Sequence, residues 1–139
     1  MYRAFAWLLA FMLVAGCAST STPAPSVGGA SPTPGMAATI SVADAAVLRD
    51  DGAIIVDVRE PDEWAAGHIP GAILIPLGEL PSRLGDVPPN RPIVVVCRSG
   101  NRSAQGRDIL LGAGFPAVTS LDGGMNDWAA AGMPIETGS

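Results

Sequence analysis

The sequence predicts an α/β fold, an open parallel sheet with helices on both faces, and three observations carry that prediction. Ile93-Val-Val-Val96 and Ala53-Ile-Ile-Val-Asp-Val58 are apolar, β-branched runs without alternation, the pattern of strands buried on both faces. Such runs alternate along the chain with segments that read as helix, the order expected of an α/β sheet. One run ends on Cys97, passes through a turn from Cys97 to Arg102, and enters a segment opened by Ser103 that sets Ile109, Leu110 and Leu111 on a helical period. A strand, a tight loop and a helix in that order aim loop amides and a helix N-terminus at the strand's end.

The start of the chain reads as a targeting signal. Arg3 supplies a short cationic start, and Ala4 to Ala15 is an uninterrupted apolar run. A spanning helix needs about 20 apolar residues, so this run is too short to anchor the chain by itself. It ends in Leu13-Val-Ala-Gly-Cys17, which resembles the bacterial lipobox, in which cleavage leaves a lipid-modified cysteine at the new N-terminus. Residues 1–16 are therefore expected to be a signal peptide and Cys17 a lipidation site. Loss of Arg3 then moves the formal charge from −5 to −6. The chain is expected to cross the cytoplasmic membrane and stay lipid-anchored in the bacterial cell envelope, on its periplasmic or extracellular face. Residues 18–38 are Ala, Ser, Thr, Pro or Gly apart from Val27 and Met36. Such a composition cannot bury enough apolar surface to order itself, so 17–38 reads as a flexible tether with a reach on the order of 25 Å.

The folded domain is expected from Thr39. Ser41 and Asp44 look like a capping-box variant opening a helix through Ala45, Ala46 and Leu48, which Asp51-Gly52 closes. The strand from Ala53 follows. Pro61 then stands at a helix N1, with Glu60, Asp62 and Glu63 at the positive end of a short helix containing Trp64. Gly67-His-Ile-Pro-Gly71 is a turn, Ala72 to Ile75 a short strand, Gly78 to Leu84 a weak helix and Asp86 to Pro92 a connector. After the Cys97 unit, Gly112 and Gly114 end the helix. Ala117 to Leu121 makes a last strand, and Asp122-Gly-Gly124 turns into a closing helix with Trp128.

The chemistry centres on Cys97. Loop amides, a helix N-terminus, Arg98 and Arg102 all favour a thiolate over a thiol. With Cys17 lipidated, Cys97 is the only free thiol, so no intramolecular disulfide can form. Eight arginines without a lysine, in a chain of charge −5, offer no clustered cationic surface for nucleic acid. Without a Cys/His cluster, no metal site is expected, and no cofactor. His68, the only histidine, is read as structural rather than as the base of a Cys-His hydrolase.

Asp57-Val-Arg59, Glu63-Trp64, Gly67-His-Ile-Pro-Gly-Ala72, Cys97-Arg-Ser-Gly-Asn-Arg-Ser103 and Asp122-Gly-Gly-Met-Asn-Asp-Trp128 together resemble a single-domain rhodanese, a sulfurtransferase, over residues 39–137. The resemblance implies a five-stranded parallel sheet flanked by helices and a cysteine that carries a persulfide. It maps Cys97 onto the nucleophile and Arg98, Ser99, Gly100, Asn101, Arg102 and Ser103 onto the loop around the transferred sulfur. A donor such as thiosulfate and a thiol or cyanide acceptor are the expected partners; the oligomeric state is left open.

Within the loop, Arg102 is expected to orient the turn and hold the donor's anionic oxygens, while Arg98 steers the donor. Ser103 is read as a helix-start residue, Trp64 and Trp128 as core, and Asp57 with Arg59 as a fixture of the neighbouring turn. Two other readings compete. One is a tethered persulfide-binding carrier with little turnover. The other is a cysteine phosphatase or arsenate reductase, which typically sets five residues between Cys and Arg. Only four separate Cys97 from Arg102, a ring better suited to one sulfur than to a tetrahedral oxyanion.

Overall fold

The computed structural model describes residues 35–138. In chain order the elements are β1 (Thr39–Ile40), α1 (Val42–Asp50), β2 (Ile54–Asp57), α2 (Pro61–Ala66), β3 (Ile73–Leu74), β4 (Ile93–Val96), α3 (Asn101–Gly112), β5 (Val118–Leu121) and α4 (Gly124–Ala130). The strands form one five-stranded sheet in the order β1-β5-β4-β2-β3, with every pairing parallel. The predicted fold class therefore holds.

Alternate residues of the central strand β4 serve opposite faces. Ile93 and Val95 pack with Leu80, Val87 and Leu110, whereas Val94 and Val96 pack with Ala45, Met125 and Trp128. All four residues of β4 are buried, which is why the run shows no polar alternation. The first face is covered by α3, and the second by α1 and α4. Gly106 lets α3 sit close on its face, because a β-carbon there would stand 3.0 Å from Val95 Cγ1.

Several boundaries differ from the sequence reading. The strand β1 was not located from sequence; its two residues pair with β5 alone, too short a run to show periodicity. The weak helix from Gly78 is two successive 3-10 turns, Leu80–Ser82 and Leu84–Asp86. α3 begins at Asn101, not at Ser103, with Gly100 as its N-cap. Ordered contacts also begin before Thr39, since the carbonyls of Ala37 and Ala38 accept hydrogen bonds from Thr119 Oγ1 and from the Ser120 N–H. The expected signal peptide, Cys17 and most of the expected tether fall outside the described residues.

The expected cap at Ser41 is present, with its Oγ accepting from the Asp44 N–H at 3.2 Å. Among the described residues, no helix is long and apolar enough to cross a membrane. Because the strands are parallel, the residues following β2, β4 and β5 emerge at one edge of the sheet. That edge is where an open α/β sheet binds ligands, and Cys97 leaves it from the central strand.

Candidate active site around Cys97

The turn after β4 is closed by a glycine in a conformation that side chains resist. Gly100 has φ of 101°, and its carbonyl accepts the Ala104 N–H at 3.2 Å, so the turn passes directly into α3. The turn folds back over the sulfur. The Gly100 N–H donates to Cys97 Sγ at 3.0 Å, and the Cys97 thiol donates to Ser103 Oγ across 3.6 Å. Ser103 is itself fully buried and donates to the Gly100 carbonyl at 2.8 Å. Buried Ser103 thus holds the turn from inside the first helical turn.

Burial opposes ionisation of Cys97, but the Ser103 hydroxyl and the N–H groups of Ser103, Ser99 and Gly100 outweigh it. The net effect lowers the thiol pKa below its ordinary value. The residue is only 1% exposed, more enclosed than a loop cysteine suggests. On one side it meets the aliphatic core; on the other its sulfur meets donors.

The second support of the turn comes from α4. The Met125 N–H donates to the Cys97 carbonyl at 2.8 Å and the Asn126 N–H to the Arg98 carbonyl at 3.1 Å. This docking requires Gly124, because a β-carbon there would run into the Cys97 carbonyl and the Arg98 backbone. Gly123 and Gly124 both have positive φ, 63° and 58°. The Gly-Gly pair is therefore a close-approach device.

Two ion pairs build the opposite wall. Asp57 and Arg59 are both buried, with Arg59 Nη2 donating to Asp57 Oδ2 at 2.6 Å. Arg59 also donates to the carbonyls of Glu63 and Gly67, at 3.1 and 2.8 Å. It fixes the adjoining turn, as expected from the sequence. Arg102 donates from Nη1 and Nη2 to the two carboxylate oxygens of Glu63, each at 2.8 Å. That hydrogen bonding drives the Glu63 pKa from 4.5 to about 2 against the opposing effect of burial. A depression of about 230 Å³ lies here, lined by Arg59, Glu63, Ala66, Arg98, Met125 and Asn126.

The structure brings Cys97, Gly100 and Ser103 together by direct hydrogen bonds, with the Ser99 N–H facing the sulfur. Arg98 is exposed and lines the depression, while Asn101 is exposed at the first position of α3. Sequence reasoning missed Glu63 as the partner of Arg102, 39 residues away, and missed the α4 amides. The Gly-Gly pair was the visible signal for the latter. Trp128 is core, as expected, but Trp64 is half-buried and stacks on His68 with ring centroids 3.6 Å apart. His68 Nδ1 lies 3.1 Å from the Trp64 carbonyl oxygen. Among the described residues, no three His, Cys, Asp or Glu side chains converge on a metal-sized site.

Known proteins resemble this chain in sequence and in fold. A family model described as Rhodanese-like domain matches residues 41–131. A sulfurtransferase from Allochromatium vinosum is 42% identical over 59% of this chain and 77% of its own length. The thiosulfate sulfurtransferase GlpE of Pseudomonas entomophila is 39% identical over 70% of this chain and 89% of its own. The crystal structure of a rhodanese-related protein from Thermoplasma volcanium superposes with a TM-score of 0.67 at 30% identity, covering 72% of this chain and 98% of that one. With a family model spanning most of the folded residues and the strand-ending cysteine inside it, this chain belongs to the rhodanese-like domain family.

Proposed function

We propose that the protein is a sulfurtransferase that carries a sulfane sulfur on Cys97 between a small donor and a thiophilic acceptor. The observation that supports this most directly is the Cys97 sulfur under the N–H groups of Ser99, Gly100 and Ser103. In the first half-reaction the Cys97 thiolate attacks the outer sulfur of the donor. The donor's S–S bond breaks, its inner group leaves with the electron pair, and Cys97 becomes a persulfide. In the second, a thiol or cyanide attacks the terminal sulfur and Cys97 departs as thiolate, ready for the next cycle. No side chain need remove a proton if the donors around the sulfur already keep it ionised. His68, stacked on Trp64, is not required as a base.

Intact-mass measurement of the full chain after exposure to a donor tests the reading: one added sulfur atom on Cys97 is expected, and its absence with every donor refutes it. Steady-state thiocyanate formation, against a single stoichiometric transfer, separates a catalyst from a carrier. The lipobox ending at Cys17 supports a further part of the proposal, that the domain works tethered to a membrane of the cell envelope. Cys17→Ala is expected to release the protein from the membrane fraction without altering transfer.

A further inference from the structure

Arg102, expected to grip the donor's oxygens, is already occupied. Both terminal nitrogens of its guanidinium lie 2.8 Å from Glu63 carboxylate oxygens. Arg59 is likewise committed to Asp57 and to two main-chain carbonyls. These pairs cancel two of the three positive charges beside the loop. Among the described residues, only Arg98 in this group has a side chain without an ion-pair partner. It shares the 230 Å³ depression with Glu63, whose carboxylate is ionised at neutral pH. The rest of that lining is Ala66, Met125, the Asn126 amide and Arg59, whose charge is already paired with Asp57.

We propose that Glu63 is a specificity-determining residue that turns the site away from dianionic inorganic donors and toward the persulfides of small organic thiols. This rests on the Cys97 persulfide reading above. The Arg102–Glu63 pair lies within electrostatic reach of Cys97, so a dianion such as thiosulfate entering by this depression meets a carboxylate, with one unpaired guanidinium in attendance. A persulfide R–S–SH brings at most one charge on its reacting end. Its organic body can lie against Ala66 and Met125, and an anionic group on that body can meet Arg98. The Cys97 thiolate attacks the terminal sulfur of R–S–SH, the S–S bond breaks, and R–S⁻ leaves. The proton stays on the transferred sulfur, giving Cys97–S–SH. Charge and sulfur oxidation level balance without a further reactant.

The test uses the full chain in detergent, with thiosulfate and glutathione persulfide as donors, and reads kcat/KM for each. The wild type is expected to prefer the persulfide. Glu63→Gln removes the carboxylate charge and frees the field of Arg102. It should raise kcat/KM for thiosulfate about tenfold at low ionic strength, the scale of one unit charge acting on a dianion a few ångströms away. The persulfide value should change by less than about threefold, and the thiosulfate gain should fade as salt is added. Glu63→Asp, which keeps the charge while spoiling the bidentate geometry, should leave thiosulfate poor. If the wild type prefers thiosulfate, or if Glu63→Gln moves both donors equally, the assignment of Glu63 is overturned while the persulfide reading stands. If neither donor adds sulfur to Cys97, the underlying reading falls and this one with it.

Discussion

The α-carbon of Gly124 lies against the carbonyl of Cys97, leaving no room for a side chain between α4 and the turn. The first amides of α4 then bond the Cys97 and Arg98 carbonyls. Those two oxygens are thereby occupied by α4, while N–H groups of the turn donate to the sulfur. The arrangement explains how the turn can hold a sulfur anion: main-chain N–H groups join the Ser103 hydroxyl as donors, and a glycine lets α4 pack against the turn.

Gly124→Ala places a β-carbon into the Cys97 carbonyl at a φ of 58°, so steric overlap and backbone strain act together. The expected cost is about 3 kcal/mol of stability, read as a lower midpoint in urea unfolding. Sulfur transfer should fall further than stability alone accounts for, because the turn must tilt away from α4.

Cys97→Ser retains the size of the residue and the buried position but lacks the sulfur nucleophile. Sulfur loading should be undetectable by intact mass and thiocyanate release should drop by about a thousandfold or more. Circular dichroism is expected to match the wild type. Retained turnover would remove Cys97 from the proposed chemistry.

The lowered Cys97 pKa predicts how its reactivity depends on pH. Thiolate rises as protons are lost, so alkylation by iodoacetamide should climb with pH and level off at a lower pH than for free cysteine. Once the sulfur is ionised the Ser103 hydroxyl turns to donate to it, so Ser103→Ala should move that midpoint upward. The plateau rate should stay below that of free cysteine, because the residue is 1% exposed.

Glu63 has its pKa depressed from 4.5 to about 2, chiefly by the hydrogen bonds from Arg102. A carboxylate held low in the folded state adds stability above its unfolded pKa and loses it as pH falls through the folded value. The pair is partly open to water, so its contribution is at most about 1 kcal/mol. Glu63→Gln should therefore destabilise the protein modestly at pH 6. Unfolding curves of variant and wild type should converge as the pH approaches about 2.

Asp57→Ala leaves the buried Arg59 guanidinium without its counter-ion, since Arg59 is only 5% exposed. Removing one partner of a buried pair costs about 3–5 kcal/mol. Thermal unfolding should report that loss, and the double variant Asp57→Ala/Arg59→Met should recover part of it.

Sequence patterns sufficed where structure is written locally. The apolar run of β4, the Ser41 cap and Pro61 at the start of α2 each depend on neighbours in the chain. Cys97 was visible as the end of a strand leading into a Gly-containing turn. What escaped depended on distance or brevity. β1 has two residues and exists through β5, whose paired residues lie 81 positions onward. Arg102 read as an anion-binding group because it lies in the turn that follows Cys97, yet its charge is paired with Glu63 on another helix. Glu63 in turn read only as an acidic residue favouring a helix start. It does serve there, accepting the Glu60 N–H at 3.2 Å, and it meets Arg102 with the same oxygen.

The short helix α2 has no buried residue of its own. Besides the Trp64 stack on His68, it is held by Arg59 on the Glu63 carbonyl, Arg102 on the Glu63 carboxylate, and the Gly138 N–H on the Ala65 carbonyl. Its neighbours β4 and α3 are instead fastened by aliphatic packing. Electrolyte weakens the first kind of attachment and spares the second. Amide hydrogen exchange in α2 should accordingly quicken with added salt while β4 and α3 stay protected. Faster exchange there would mark the wall beside the enclosed sulfur as the first part of the site to open, and so as the way in for small molecules.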